Sequence, residues 1–134
     1  MQDDEAARQL LSSLQAGQLP AVFHHRQHVL LAWHLVRTRS LPQALSPYEM
    51  ALRVATVAVG APNKLHITRT YAWITLVHER AANASPGESF AQFTSRNPEL
   101  LDKTYLEQRY YDPELLATER ARVSFVLPAR ADVA

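Results

Sequence analysis

The sequence predicts an all-α protein, an irregular helical bundle of about five to seven helices in a single domain, and three observations carry that reading. Apolar residues recur at three- and four-residue intervals around positions 25–36 and 66–77, the spacing of one helix face. Capping residues followed directly by proline recur along the chain, an arrangement that fills an N-cap and puts proline where its missing N–H costs nothing. No segment alternates apolar and polar residues long enough to be read as a strand, and no internal repeat is visible.

The first helix is expected over residues 3–16, with an acidic first turn and Gly17 ending it. A second runs from 23 to about 37. Ser46-Pro47-Tyr48-Glu49 and Ser85-Pro86-Gly87-Glu88 have the pattern of capping boxes, so helices are expected over 47–59 and 86–94. Gly60-Ala61-Pro62-Asn63 breaks the chain before a fourth long helix that reaches about residue 82. Asn97-Pro98-Glu99 and Asp112-Pro113-Glu114 open helices expected over 98–110 and 113–122. Residues 1–17 thus form an N-terminal helix, 23–122 the bundle core, and 123–134 a tail whose Phe125, Val126 and Leu127 are expected to pack back on the bundle.

Composition narrows the function classes. With 134 residues, 47% of them hydrophobic and 20% charged, the chain has the size and make-up of one globular domain, alone or as a homo-oligomer. A formal charge of +1 is too small for a nucleic-acid binder. There is no cysteine, so disulfides, thiolate metal ligands and a cysteine nucleophile are excluded. Three glycines, Gly17, Gly60 and Gly87, form no phosphate-binding loop, and no G-x-S-x-G elbow is present. The acidic start Met1-Gln2-Asp3-Asp4-Glu5 does not have the form of a signal peptide, and the apolar runs are too short to span a membrane. A cytoplasmic protein with no membrane or nucleic-acid partner is the expectation.

The histidines carry the chemistry. On the second helix His25 begins a stripe continued by Val29, Ala32 and Val36, and His28 lies beside it with Ala32 and Leu35, so both are expected to face inward. His24 sits at the edge of that face, and His34 is assigned to the solvated side. On the fourth helix Thr68, Ala72, Thr75 and Glu79 are read as the polar strip, which turns His66, Thr70, Trp73 and Val77 inward. His78 lies roughly 18 Å further along the axis than His66 and cannot share its site. If helices two, three and four pack up-down-up, helices two and four are parallel, and His25, His28 and His66 fall in one layer.

Three inward imidazoles with an open position suit a transition metal ion such as copper, zinc or iron. A fourth ligand could come from His24, Glu107 or Tyr110, and Thr70 could orient a ligand or hold a bound water. Thr70, Tyr110 and Tyr111 are the candidate catalytic residues, a phenol serving to close the pocket or donate a hydrogen bond. Arg26, Arg69 and Arg109 are read as solvated cations, Trp33 and Trp73 as packing residues.

The segment Phe23-His24-His25-Arg26-Gln27-His28-Val29-Leu30-Leu31-Ala32-Trp33 resembles small bacterial proteins of uncharacterised type that share an F-x-H-x-x-H-(L/V)-x-x-A pattern. Their later H-x-T-x-T-x-x-W element is matched by residues from His66 to Trp73, and a third match runs from Tyr110-Tyr111 through Arg122 to Pro128. The resemblance implies a helical fold and singles out His25, His28 and His66; before His66 the pattern usually has Tyr, where this chain has Leu65. Two functions remain open at this point: a small metalloenzyme acting on a small molecule, or a non-catalytic helical module whose histidines line a small-molecule pocket or an interaction surface.

Overall fold

The structure is a computed structural model and describes residues 2–128. Eight α-helices are formed among these residues: α1 (Gln2–Gln15), α2 (His25–Thr38), α3 (Leu41–Ala58), α4 (Ile67–Ala81), α5 (Phe90–Arg96), α6 (Tyr105–Arg109), α7 (Pro113–Leu116) and α8 (Glu119–Val123). Two short 3₁₀ turns, Pro62–Lys64 and Pro98–Leu101, join them, and no described residue lies in a strand. The expected all-α bundle is what forms.

Helix α2 is central. Val29, Leu30, Leu31, Ala32 and Trp33 are all buried in succession, followed by Leu35, so its middle has no solvent face. Around it pack α1, α3, α4 and the Pro98–Leu101 turn. Helix α1 contributes Ala7, Leu10, Leu11 and Leu14, the spacing of a single stripe. The first turns of α2 and α4 lie together at one end of the bundle, with the last turns of α3 beside them. The last turns of α2 and α4, including Arg37 and His78, meet at the other end. Helices α2 and α4 are therefore parallel and α3 runs against them, the expected up-down-up arrangement.

Several boundaries differ from the sequence expectation. Helix α3 starts at Leu41: Ser40 Oγ accepts from the Gln43 amide at 3.4 Å and Gln43 Oε1 accepts from the Ser40 amide at 3.3 Å. Ser46 is then no cap, and Pro47 sits inside the helix. An interior proline removes one backbone hydrogen bond, but the extra turns bury Ala44 and extend the stripe of Tyr48, Ala51, Leu52 and Ala55. Gly87, at φ +79°, breaks the helix expected from Pro86. Helix α5 starts instead at Phe90, capped by Ser89. The expected helix 98–110 is split at Asp102, whose carboxylate takes the amide and hydroxyl of Thr104. The one expected over 113–122 is split by Thr118, which caps α8 by accepting from the Ala121 amide at 3.2 Å.

Two polar residues are more buried than their helix phase implied. Thr68, assigned to the polar strip, is fully buried; its hydroxyl donates to the Ser124 carbonyl at 2.8 Å and accepts from the Val126 amide at 3.1 Å. Tyr111 donates to the Val126 carbonyl at 2.8 Å. Together they hold the segment after α8 against the bundle, which half-buries Val126 and leaves Leu127 73% exposed. His34, assigned to the solvated side, is half-buried. The remainder of the expected tail, 129–134, lies outside the described residues.

The two alternative starts of α3 make different mutational predictions. Ser40→Ala should lower unfolding stability by about 1 kcal/mol, whereas Ser46→Ala, at an exposed position, should stay within about 0.5 kcal/mol of the parent. Urea denaturation of the two variants checks this, and the reverse order would place the helix start at Pro47.

Candidate ligand cavity

The first turns of α2 and α4, the last turns of α3 and the segment leading into α2 enclose a cavity of about 600 Å³. Most of its wall is apolar, including Phe23, Leu52, Ala55, Leu65, Trp73 and Val77. His24, His25, His28 and His66 also line it, so four of the six histidines meet at one end of the bundle.

His25 opens α2, and its Nε2–H donates to the Leu100 carbonyl at 2.9 Å. That bond fixes the tautomer and leaves Nδ1 as the acceptor. Burial lowers the His25 pKa, with the Leu100 bond opposing it. The ring stands edge-on to Trp73 with centroids 4.6 Å apart. Arg80, near the end of α4, anchors the turn that carries Leu100: its guanidinium binds Asn97 Oδ1 at 3.0 Å, the Glu99 carboxylate, and the Tyr105 hydroxyl at 3.2 Å.

His28 lies one turn further into the bundle and packs on Phe23 at 4.4 Å between centroids. Neither ring nitrogen has a hydrogen-bond partner among the described residues, and its pKa is lowered to about 4, first by burial and then by the nearby His25 and His24. The ring is therefore a neutral imidazole with one donor and one acceptor unused.

His66 has a different role. It is the N-cap of α4: Nδ1 accepts from the Arg69 amide at 3.1 Å, in the way a serine or aspartate oxygen caps a helix, and Nε2–H donates to the Leu116 carbonyl at 2.8 Å. Both ring nitrogens are thus engaged by the protein. The structure brings His25 and His28 together, with ring centroids 6.3 Å apart, and places His66 on the same cavity wall as a capping residue. His24, at the N-cap of α2, is exposed at the rim. Among the described residues no three or more His, Asp or Glu side chains are grouped so as to hold a metal ion.

Thr70 is buried on the cavity wall, its hydroxyl donating to the His66 carbonyl at 2.7 Å. Tyr110 and Tyr111 are placed away from the cavity: Tyr110 packs edge-on against Tyr105, and Tyr111 holds Val126. Glu107 binds the Arg69 guanidinium at 2.7 Å.

Sequence reasoning missed Tyr48. It is 2% exposed, lies on the cavity wall, and its hydroxyl has no hydrogen-bond partner among the described residues. Burial pushes its pKa far up, so it is a neutral phenol. The fully enclosed unpaired side-chain atom in the described structure is Trp33 Nε1, not the Tyr48 hydroxyl, which keeps access to the cavity. The signal was the stripe Tyr48, Ala51, Leu52 and Ala55, present within the helix expected over 47–59 and continued by Ala44 once the helix starts at Leu41. Also missed were Lys64 and Lys103, which line the cavity at exposed positions.

Compared with known protein families, characterised proteins and solved structures, the chain matches none. The chemical reading therefore rests on the cavity itself: an apolar enclosure with two neutral, unpartnered hydrogen-bonding groups, Tyr48 and His28.

The His28 environment fixes a pH dependence. In the unfolded chain a histidine titrates near pH 6.5, whereas the folded His28 pKa is about 4. Between these values the unfolded state binds a proton that the folded state does not, so stability falls as pH is lowered through the window and levels off below about 4. From pH 7 to pH 5 this amounts to about 2 kcal/mol. Urea unfolding at both pH values should show His28→Leu losing less stability than the parent over that step; equal losses would mean that His28 is not held neutral.

Proposed function

We propose that this chain is a small-molecule-binding helical protein whose cavity takes a compact, largely apolar ligand hydrogen-bonded by neutral Tyr48 and His28. The carrying observation is that pair of unpartnered groups on the wall of a cavity of about 600 Å³. Ligand sites of this kind usually enclose roughly 300–1,000 Å³, with a few polar groups set in an apolar lining. Both groups face the cavity with hydrogen-bonding capacity that no described protein atom uses, and a ligand that satisfies them gains about 0.5–1.5 kcal/mol per bond. Of the motif residues that carry the resemblance to small bacterial helical proteins, Phe23, His25, His28, Val29, His66, Thr70 and Trp73 lie on this wall, while Ala32 and Thr68 pack elsewhere, which supports taking the cavity as what most of the two motifs builds. Among the described residues no helix is long and apolar enough to cross a membrane, in keeping with a cytoplasmic small-molecule binder.

A second reading, a transition metal ion serving a small metalloenzyme, is favoured by the His25–Leu100 bond. Second-partner bonds of that type orient histidine ligands and leave the other nitrogen for the metal. His25 and His28 would supply two donors for copper, zinc or iron. A third would be water, His24, or His66 released from its cap.

A neutral fluorescent naphthylamine should bind saturably, with emission shifted to the blue. Ala55→Trp, which fills the cavity from α3, should abolish the signal while circular dichroism stays helical, and Tyr48→Phe should weaken displacement by hydroxyl-bearing competitors about threefold to tenfold. Binding that survives Ala55→Trp would sink the cavity reading. For the metal reading, calorimetric titration with Zn²⁺ or Cu²⁺ should show binding lost in His25→Ala and His28→Ala and kept in His34→Ala; a parent protein that takes up neither ion removes that reading.

A further inference from the structure

We infer that the natural ligand is an amphiphilic monocarboxylate, seated with its apolar body in the cavity and its carboxylate at the mouth between Lys64 and Lys103. This inference rests on the cavity being a binding site and deepens it to a ligand class. Among the described residues three charged side chains line the cavity, Lys64, Arg69 and Lys103, all cationic, and no aspartate or glutamate does. Arg69 already binds Glu107. Lys64 and Lys103 are exposed and make no ion pair among the described residues. Asp102, next to Lys103, accepts from the Thr104 amide, the Thr104 hydroxyl and Gln108 and keeps its negative charge, which opposes that of Lys103 at His25, so Lys64 supplies the excess positive charge.

The two lysines come from separate elements. Lys64 closes the 3₁₀ turn before α4, and Lys103 follows the turn whose Leu100 carbonyl holds His25. Between those elements sits the histidine-lined wall, so the unpaired positive charge rims the cavity rather than filling it. Inside, Tyr48 and His28 are neutral groups in apolar surroundings, where an ionised head would lose its hydration without a counter-charge. Charge at the mouth and none within sets the orientation: head toward solvent and the lysines, body inward. Complementary potential of this kind acts on specificity and on the rate of encounter.

The test compares three ligands of equal chain length, dodecanoate, dodecanol and dodecyltrimethylammonium, displacing the neutral naphthylamine from the full chain at low salt. The carboxylate should bind about threefold to tenfold more tightly than the alcohol, as expected for two solvent-exposed charge pairs, and the ammonium more weakly than either. Raising the ionic strength should shrink the carboxylate's advantage. Lys64→Gln combined with Lys103→Gln should erase it while leaving dodecanol affinity unchanged, a control that also reports intact folding. Equal affinity for alcohol and carboxylate, or an advantage that survives the double substitution, overturns the inference while leaving the cavity as a binding site. Failure of all three ligands to displace a bound dye overturns the inference alone, whereas failure of the dye itself to bind overturns both.

Discussion

The desolvation of α2 is the constraint from which the remaining architecture follows. A helix whose middle residues, Val29 to Trp33, are all buried cannot be satisfied by one partner. It needs cover on every side, and α1, α3, α4 and the Pro98–Leu101 turn provide it. That demand is strong enough to enclose the Trp33 indole N–H without an acceptor, with the Arg37 guanidinium 4.3 Å above its ring. Toward its start α2 becomes polar, through His24, His25, Arg26, Gln27 and His28. Close cover ends where the polar residues begin, and the cavity occupies the space left between that first turn and the neighbouring helices.

The histidines show how one residue type is divided by its surroundings. At His66 the imidazole satisfies a helix start on one side and a distant carbonyl on the other, which binds α4 to α7. At His25 a single bond to Leu100 fixes the ring while its other nitrogen stays available. At His28 burial, helped by the neighbouring His25 and His24, decides the protonation state. Helix α4 runs through this arrangement as a polar spine: His66, Thr68, Arg69 and Arg80 each bond to the C-terminal third of the chain.

The fold class, the parallel placement of α2 and α4 and the clustering of His25, His28 and His66 at one end were legible, because stripes at helical spacing encode which faces turn inward. Helix starts were less so. Ser46-Pro47 and Ser85-Pro86 carry strong local capping signals, yet burial of Tyr48 with Ala44 and the left-handed backbone at Gly87 decided the outcome. Thr68 was misphased for a related reason: a threonine reads as surface until its partners, Ser124 and Val126, are known, and these lie more than fifty residues away. Nor could sequence show that both His66 nitrogens are engaged, since Leu116 offers a backbone carbonyl that no side-chain pattern announces.

The anchors of the cavity wall span long stretches of chain, and this has a consequence for biosynthesis. His25 waits for Leu100, His66 for Leu116, and Thr68 for Ser124 and Val126. The helices that supply most of the wall leave the ribosome well before the residues that pin it, and a domain of this size generally folds as a unit. A nascent chain ending near α4 lacks the carbonyls that anchor His25 and His66 and the turn that covers α2. The binding end of the molecule is thus completed only when the C-terminal third of the chain has been made.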